Sequence, residues 1–133
     1  MKHSKLPRAA ALAALILGLS TLTLSSGCLA AAAGAGAAGV AFVMGDLTAN
    51  LDASLDRSYR ATQQAVEQLE FTKVSESKDA LIAKVTVRNA VNQKIVIKLE
   101  RVGDNLTKVS IRVDTFGDRP LSMTVLDKIK AKL

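Results

Sequence analysis

The segment Ile95–Val113, IVIKLERVGDNLTKVSIRV, decides the fold because it contains two alternating strands joined by a tight turn. The apolar positions are Ile95, Ile97, Leu99, Val109, Ile111 and Val113, and between them lie Val96, Lys98, Glu100, Lys108, Ser110 and Arg112. The intervening VGDNL is typical of a hairpin turn. A strand pair with one apolar and one polar side predicts an antiparallel sheet that is covered on one face only.

Further strands are predicted on the N-terminal side of this hairpin. The segment LIAKVTVRN, 81–89, alternates with Leu81, Ala83, Val85 and Val87 facing inward. Phe71 to Val74 reads as a short strand, followed by a turn at SESKD, 75–79. Val40 to Leu51 changes its alternation at Gly45-Asp46, which indicates one strand with a bend or two short pieces.

Two amphipathic helices supply the cover for the sheet. Asp52 and Ser54 are good N-terminal caps for a helix that ends near Leu69, and Asp118 caps a second helix with Pro120 in its first turn. The apolar stripes are Leu55, Tyr59, Val66 and Leu69, with Thr62 as a polar member, and Leu121, Val125, Ile129 and Leu133. The sequence therefore predicts an α+β two-layer sandwich in the order β-α-β-β-β-β-α. Its antiparallel sheet has four to five strands, and two helices lie on one face.

The first 27 residues have the layout of a secretory signal peptide. Lys2, Lys5 and Arg8 form a basic head before an apolar run from Ala9 to Leu24. This run of about 16 residues is roughly 24 Å long as a helix, which is shorter than the hydrocarbon core of a bilayer. An uncleaved N-terminal anchor is the alternative interpretation.

The segment Leu24-Ser25-Ser26-Gly27-Cys28 resembles the lipobox, the processing signal of bacterial lipoproteins. The resemblance implies cleavage between Gly27 and Cys28, with acyl chains such as palmitate attached at Cys28. A cysteine suits this step because its thiolate is strongly nucleophilic. The lipobox usually has leucine three residues before the cysteine, where this chain has Ser25. An unmodified cysteine after an ordinary cleavage site is the alternative.

The chain thus divides into three segments: a signal peptide over 1–27, a lipidated Cys28 with an Ala/Gly-rich tether over 28–39, and a single α+β domain over 40–133. For 29–44 a tether, a lipid-associated helix and a strand all remain open. Leu29 follows the cysteine, where many Gram-negative bacteria use aspartate to retain lipoproteins in the inner membrane. We therefore expect attachment to the inner leaflet of the outer membrane, facing the periplasm, with the inner membrane as the alternative.

Charge and composition exclude several classes of function. Of 18 basic residues only Lys2, Lys5 and Arg8 precede Cys28, whereas all 12 acidic residues follow it, so segment 28–133 carries a net charge of +3. This small surplus, without interleaved aromatic residues, argues against nucleic-acid binding. His3 is the only histidine and Cys28 the only cysteine. We therefore expect no histidine-based or cysteine-based catalysis, no metal site and no cofactor.

The chain is identified as similar to an uncharacterised family of small bacterial lipoproteins, known as a domain of unknown function. The resemblance rests on the Cys28-Leu29-Ala30 start, on LDASLDRSYRAT at 51–62, and above all on IKLERVGDNLTKVSIRVDTFGD at 97–118. Asp114 stands where many members have glycine. The resemblance implies a lipoprotein with one domain and implies no activity.

One surface carries a functional hypothesis. The outward positions of neighbouring strands include five basic residues, which form a candidate face for docking an acidic partner: Lys84, Arg88, Lys98, Lys108 and Arg112. We expect a membrane-anchored, non-catalytic envelope lipoprotein that binds another envelope protein. The alternative is a carrier of a lipid or a small apolar ligand in the periplasm.

Overall fold

Residues 39–133 are the part of the chain that the computed structural model describes, and they form six strands and two helices. In chain order these are β1 (Val40–Val43), β2 (Asp46–Leu51), α1 (Leu55–Gln68), β3 (Thr72–Lys78), β4 (Ile82–Arg88), β5 (Lys94–Gly103), β6 (Leu106–Val113) and α2 (Arg119–Ala131). The predicted signal peptide, the cleavage site at Gly27 and the lipidation site at Cys28 lie outside the described residues.

All six strands form one antiparallel sheet in the order β1-β2-β6-β5-β4-β3. The predicted α+β class is confirmed, but the strand count of four to five is wrong. Residues 40–51 contribute two strands, which agrees with the alternative of two short pieces and not with the predicted element order, where one strand precedes the first helix. The reason is the turn at Met44 and Gly45, whose φ values of +52° and +87° reverse the chain completely. Val43 therefore pairs with Asp46, and 40–51 forms a hairpin instead of one bent strand.

The prediction of a turn at SESKD is also wrong, because most of this segment belongs to β3. β3 pairs with β4, with a bulge between Lys73 and Ser75, and all of its residues are exposed. The strand lacks apolar alternation since no side chain of it enters the core. The chain instead reverses after Asp79, whose Oδ1 accepts hydrogen bonds from the backbone N–H groups of Leu81 and Ile82 at 2.7 and 2.8 Å. Leu81, predicted to face inward, is 62% exposed.

The core lies between the inward face of the sheet and the two helices. Ser54 and Asp118 cap the helices as predicted, accepting hydrogen bonds from Arg57 N and Leu121 N respectively. α1 contacts β4, β5 and β6, α2 contacts β2 and β6, and the helices contact each other. The predicted inward residues of the central strands are all buried in one cluster with the helices: Ala83, Val85, Val87, Ile95, Ile97, Leu99, Val109, Ile111 and Val113.

The buried hydroxyl groups of the core fall into two kinds. Thr62 and Thr107 donate hydrogen bonds of 2.8 Å to the carbonyl oxygens of Ser58 and Ala53. The hydroxyl oxygens of Ser58 and Ser122 are buried without a hydrogen-bond partner. The Thr107 bond joins β6 to the loop that precedes α1, so it fixes the point where the chain leaves the sheet.

The two edges of the sheet differ in chemistry. β1 is a short apolar strand, VAFV, whose outer side has no strand partner among residues 39–133. β3 presents Lys73, Glu76 and Lys78 and carries the bulge. Charges and bulges are the devices by which proteins prevent another strand from pairing with an edge. The β3 edge has both, and β1 has neither.

Candidate functional site

The outward face of the sheet contains a shallow concavity of about 670 Å³, which we call the basic groove. Strands β2, β6, β5 and β4 supply its lining residues: Asp46, Thr48, Lys84, Val96, Lys98, Glu100, Lys108, Ser110 and Arg112. Four of the five basic residues predicted to form a docking face therefore lie together. They meet because they alternate with core residues on neighbouring strands, so their side chains share the side of the sheet that faces away from the core.

The strand register places two lysines directly opposite each other in the basic groove. Lys98 of β5 pairs with Lys84 of β4 on one side and with Ser110 of β6 on the other. Ser110 in turn pairs with Thr48 of β2. Like charges directly opposite on adjacent strands repel each other and destabilise the pair. The row therefore presents two ammonium groups and two hydroxyl groups, which are all donors for an anionic ligand.

Glu100 compensates only part of this positive charge. Its carboxylate lies 2.7 Å from Lys98 Nζ and 3.8 Å from Lys108 Nζ. The hydrogen bond from Lys98 lowers the pKa of Glu100, so this carboxylate is ionised at neutral pH. One negative charge thus serves two lysines, while Lys84 forms no ion pair within residues 39–133.

Arg112 has a structural role at one end of the groove. Its Nε and Nη2 donate to the two carboxylate oxygens of Asp46 at 2.6 Å each, and Nη2 also donates to the Met44 carbonyl at 3.3 Å. The hydrogen bonds to Arg112 lower the pKa of Asp46, and in return Asp46 raises the pKa of Arg112. A bidentate pair of this kind is a strong, geometrically specific contact. Arg112 therefore holds the β1–β2 turn and is less free to meet a partner.

Arg88, the fifth predicted residue, does not line the groove. Its Nη1 donates to the carbonyl and to the side-chain oxygen of Asn92, at 2.9 and 3.1 Å, and it therefore braces the β4–β5 turn. Asp46 and Thr48 are groove residues that the sequence analysis missed. Their strand pairs with β6 across about 60 residues of chain, so only the alternation of Leu47 and Ala49 with polar neighbours pointed to them.

A second concavity, of about 330 Å³, lies near the start of α1. Four of its charged residues form two ion pairs: Lys78 Nζ lies 2.5 Å from Asp56, and Arg101 Nη2 lies 2.6 Å from Asp104. The Lys78 hydrogen bond lowers the pKa of Asp56. Exposed pairs of this type contribute little to stability. Asp79 also lines this concavity, so the concavity presents no surplus cation to an anionic ligand.

Hydrogen bonds to Glu76 of β3 attach this strand to α1. Glu76 accepts hydrogen bonds from Tyr59 Oη at 2.8 Å and from Gln63 Nε2 at 2.6 Å, and Lys73 Nζ lies 3.0 Å away. These bonds, Lys73 first, lower the pKa of Glu76, while burial is the main cause that raises the pKa of Tyr59. Tyr59, predicted as a member of the apolar stripe, is half-buried and uses its hydroxyl to attach β3 to α1.

Within residues 39–133 no group of three or more acidic, histidine or cysteine side chains is placed to hold a metal ion. Neither α1 nor α2 is long and apolar enough to cross a membrane.

Comparison with protein-family models matches residues 10–132 to a family described as "Protein of unknown function (DUF3568)". The match includes all six strands and both helices, and of the residues that follow α2 only Leu133 lies outside it. Comparison with curated proteins gave no match.

Proposed function

The chain belongs to the DUF3568 family, and because that description states no activity, we propose a function from the sheet face and the N-terminal sequence. We propose a bacterial lipoprotein of the cell envelope, anchored by acyl chains on Cys28, whose domain binds an acidic partner protein through the basic groove. In this proposal the domain is a two-layer sandwich with its helices on one face and its binding surface on the other. Its role is non-catalytic.

The anchor is supported by the lipobox-like segment that ends at Cys28. Each buried CH₂ group contributes about 0.8 kcal/mol to membrane binding, and a single acyl chain gives only marginal attachment. Two or three chains on Cys28 hold the protein permanently. The leucine at position 29 favours the inner leaflet of the outer membrane, where the domain faces the periplasm.

The observation that carries the binding proposal is the surplus of cations in the basic groove. Lys84 and Lys98 are directly opposite each other, and the single carboxylate of Glu100 is shared between Lys98 and Lys108. A carboxylate or other anionic group from a partner relieves the repulsion between Lys84 and Lys98. Charge complementarity of this kind increases the rate and the specificity of association.

The alternative of a lipid or apolar ligand carrier has less support. A carrier needs space between helices and sheet, but there the side chains of Ile97, Leu99 and Leu126 are fully buried in one packed cluster. Both concavities described above open at the surface. Non-catalytic binding at the sheet face is therefore the function we propose.

The test compares two charge reversals of equal size. Lys84→Glu/Lys98→Glu changes the basic groove, whereas Lys130→Glu/Lys132→Glu changes exposed residues at the end of α2. Chemical crosslinking in intact membranes is expected to give specific adducts that the first double variant loses and the second retains. Adducts that both variants retain, or both lose equally, would contradict binding through the groove. Circular dichroism confirms that each variant is folded.

The anchor is tested separately with Cys28→Ala. We expect the parent chain to fractionate with membranes and to carry the added mass of acyl groups. The variant is expected to lose both properties. Equal membrane fractionation of the two chains, together with no added mass on the parent, refutes the anchor.

A further inference from the structure

Four large apolar side chains are exposed together at one end of the sheet. Val43 is 63%, Met44 89%, Val91 75% and Phe116 90% exposed. Single exposed apolar residues are common, but a contiguous exposed group marks a contact surface. We call these four residues the apolar ridge.

The sheet topology aligns the apolar ridge. Val43 ends β1 and Met44 lies in the β1–β2 turn. Phe116 lies in the loop after β6, and Val91 lies in the β4–β5 turn. Asp46 pairs with Arg112 and Ile95 with Val113, so all three connections leave the same end of the sheet. Because β2, β6 and β5 are adjacent strands about 4.8 Å apart, the three connections lie within about 15 Å of each other.

The backbone of the β1–β2 turn does not by itself favour methionine. Met44 has a φ of +52°, a left-handed conformation that costs a residue other than glycine roughly 1–2 kcal/mol and that asparagine or glycine adopts more readily. Since the Met44 side chain is 89% exposed, packing within the domain does not explain its presence. A strained residue with an exposed apolar side chain indicates an external contact.

Two glycines hold Met44 and Phe116 side by side. The backbones of Gly45 and Gly117 approach so closely that a Cβ on Gly45 would lie 2.6 Å from the Phe116 carbonyl oxygen. Gly117 N donates to the Val113 carbonyl at 2.9 Å, and Arg112 holds the Met44 carbonyl from the other side. The turns that carry Met44 and Phe116 are thus fixed to one another, and this part of the apolar ridge is preformed.

We propose that the apolar ridge contacts lipid, inserting its four side chains into the surface of the bilayer to which the chain is anchored. This inference rests on the anchor of the proposed function. The ridge consists of four side chains, whereas a stable protein–protein interface uses about 20–30 residues on each side. Shallow insertion at the boundary between head groups and acyl chains is feasible with a few large apolar residues.

The charges around the ridge leave a small positive surplus, which suits the phosphates of lipid head groups. Arg88, Lys94 and Arg119 are exposed, and none forms an ion pair within the described part of the chain. The nearby carboxylates of Asp114 and Asp118 accept hydrogen bonds from backbone N–H groups. Each basic residue near an anionic leaflet contributes about 1 kcal/mol of attraction.

The length of chain between Cys28 and the domain permits this contact. Residues 29–39 span at most about 40 Å when extended, and the four residues of β1 place Val40 only about 13 Å from the ridge. With the ridge on the bilayer, the strands point away from the membrane surface. The basic groove then faces sideways into the periplasm, where it is open to a partner protein.

The experiment uses tryptophan as a unique probe, because the chain contains none. Phe116→Trp places it in the ridge, and Val102→Trp is the matched control at an exposed position in β5, near the β5–β6 turn at the opposite end of the sheet. Each acylated full chain is purified from membranes and reconstituted into vesicles of phosphatidylethanolamine and phosphatidylglycerol with or without brominated acyl chains. Brominated lipid is expected to quench the emission of Phe116→Trp about twofold or more and to leave Val102→Trp unchanged.

A further variant separates lipid contact from stability. Met44→Asn suits the left-handed turn, so we expect it to keep or raise the resistance to urea while it weakens the quenching of Phe116→Trp. If the Met44→Asn substitution left the quenching of Phe116→Trp unchanged, Met44 would be excluded from the lipid contact.

Vesicle flotation reports the anchor independently of the ridge. A chain that floats with vesicles while Phe116→Trp is not quenched overturns the ridge proposal and leaves the anchor intact. A chain that does not float refutes the anchor and the ridge contact that depends on it. A blue-shifted emission without quenching shows that a second copy or another protein covers the ridge, and this too overturns the proposal.

Discussion

The close approach of the Gly45 and Gly117 backbones predicts a large effect from a single methyl group. Gly117 has a φ of +81°, and a Cβ there would lie 2.5 Å from Gly45 Cα and 2.8 Å from Gly45 C. Both partners are backbone atoms, so no side-chain rotation relieves the clash. Gly117→Ala is therefore expected to destabilise the fold substantially.

The magnitude follows from two separate costs. A left-handed conformation costs alanine roughly 1–2 kcal/mol, and overpacking at a site without free volume costs about 1–3 kcal/mol. Together they predict a loss of about 2–5 kcal/mol from a total stability of about 5–15 kcal/mol. Gly103→Ala is the matched control, because its Cβ would lie 3.7 Å from the Leu106 Cβ, an ordinary contact.

The assay is urea unfolding followed by far-UV circular dichroism, on chains that begin at Gly39, the first residue that the structure describes. The expected result is a much lower unfolding midpoint for Gly117→Ala with an unchanged slope, and a midpoint for Gly103→Ala close to that of the parent. If Gly117→Ala lay within about 0.5 kcal/mol of the parent, or if both variants lost the same stability, the reasoning from the Gly45–Gly117 contact would be refuted.

Three further outcomes are expected in the same unfolding assay. Thr107→Val leaves the buried Ala53 carbonyl without its donor and should cost about 1–3 kcal/mol, whereas Ser122→Ala removes a hydroxyl that has no partner and should change stability little. An equal loss in both variants would contradict this distinction. Asp114→Ala, at a φ of +50°, should destabilise more than Asp114→Asn, because asparagine tolerates that conformation and keeps an acceptor oxygen; the reverse order would contradict the explanation. Finally, acid should destabilise the domain, since ion pairs and backbone hydrogen bonds lower the pKa values of several carboxylates. The stability that these carboxylates contribute is complete above their unfolded-state pKa values, near about 4, and is lost as the pH falls through their lowered folded-state pKa values. A urea midpoint that is the same at pH 7 and at pH 3 would refute this explanation.

The central sheet and both helices are predictable from the sequence because their residues enter the core. Ile95, Ile97 and Leu99 alternate with polar residues, and that period of two is imposed by burial on one side. The caps at Ser54 and Asp118 are equally local, since each depends on a side chain three residues from the N–H it accepts.

The edges of the sheet are less predictable, for a physical reason. β3 buries none of its side chains, so its sequence carries no apolar period, and Ser75, Glu76 and Lys78 resemble a turn. At the other edge the hairpin depends on Met44 adopting a conformation that a methionine rarely adopts. In neither segment does local preference agree with the structure that tertiary contacts select.

The predicted docking face shows a similar limit, because the sequence does not reveal which of its charged residues form ion pairs. Alternation correctly placed Lys84, Lys98 and Lys108 on one side of the sheet. It did not show that Arg112 is bound by Asp46, which precedes it by 66 residues. Pairing over that separation depends on the register of β2 against β6, which composition and periodicity do not reveal.

The difference between the two edges limits how this protein can associate through its strands. Main-chain pairing between copies requires an edge that accepts a new strand. Within residues 39–133 each copy offers only β1 for this pairing, because the bulge and the charges of β3 disfavour a new strand on the other side. Growth by this route stops after one addition, since the resulting dimer has blocked strands at both outer margins. By this route two copies would form a pair and not a fibril, and this would matter if the chain is concentrated on a membrane by the lipid anchor that we propose.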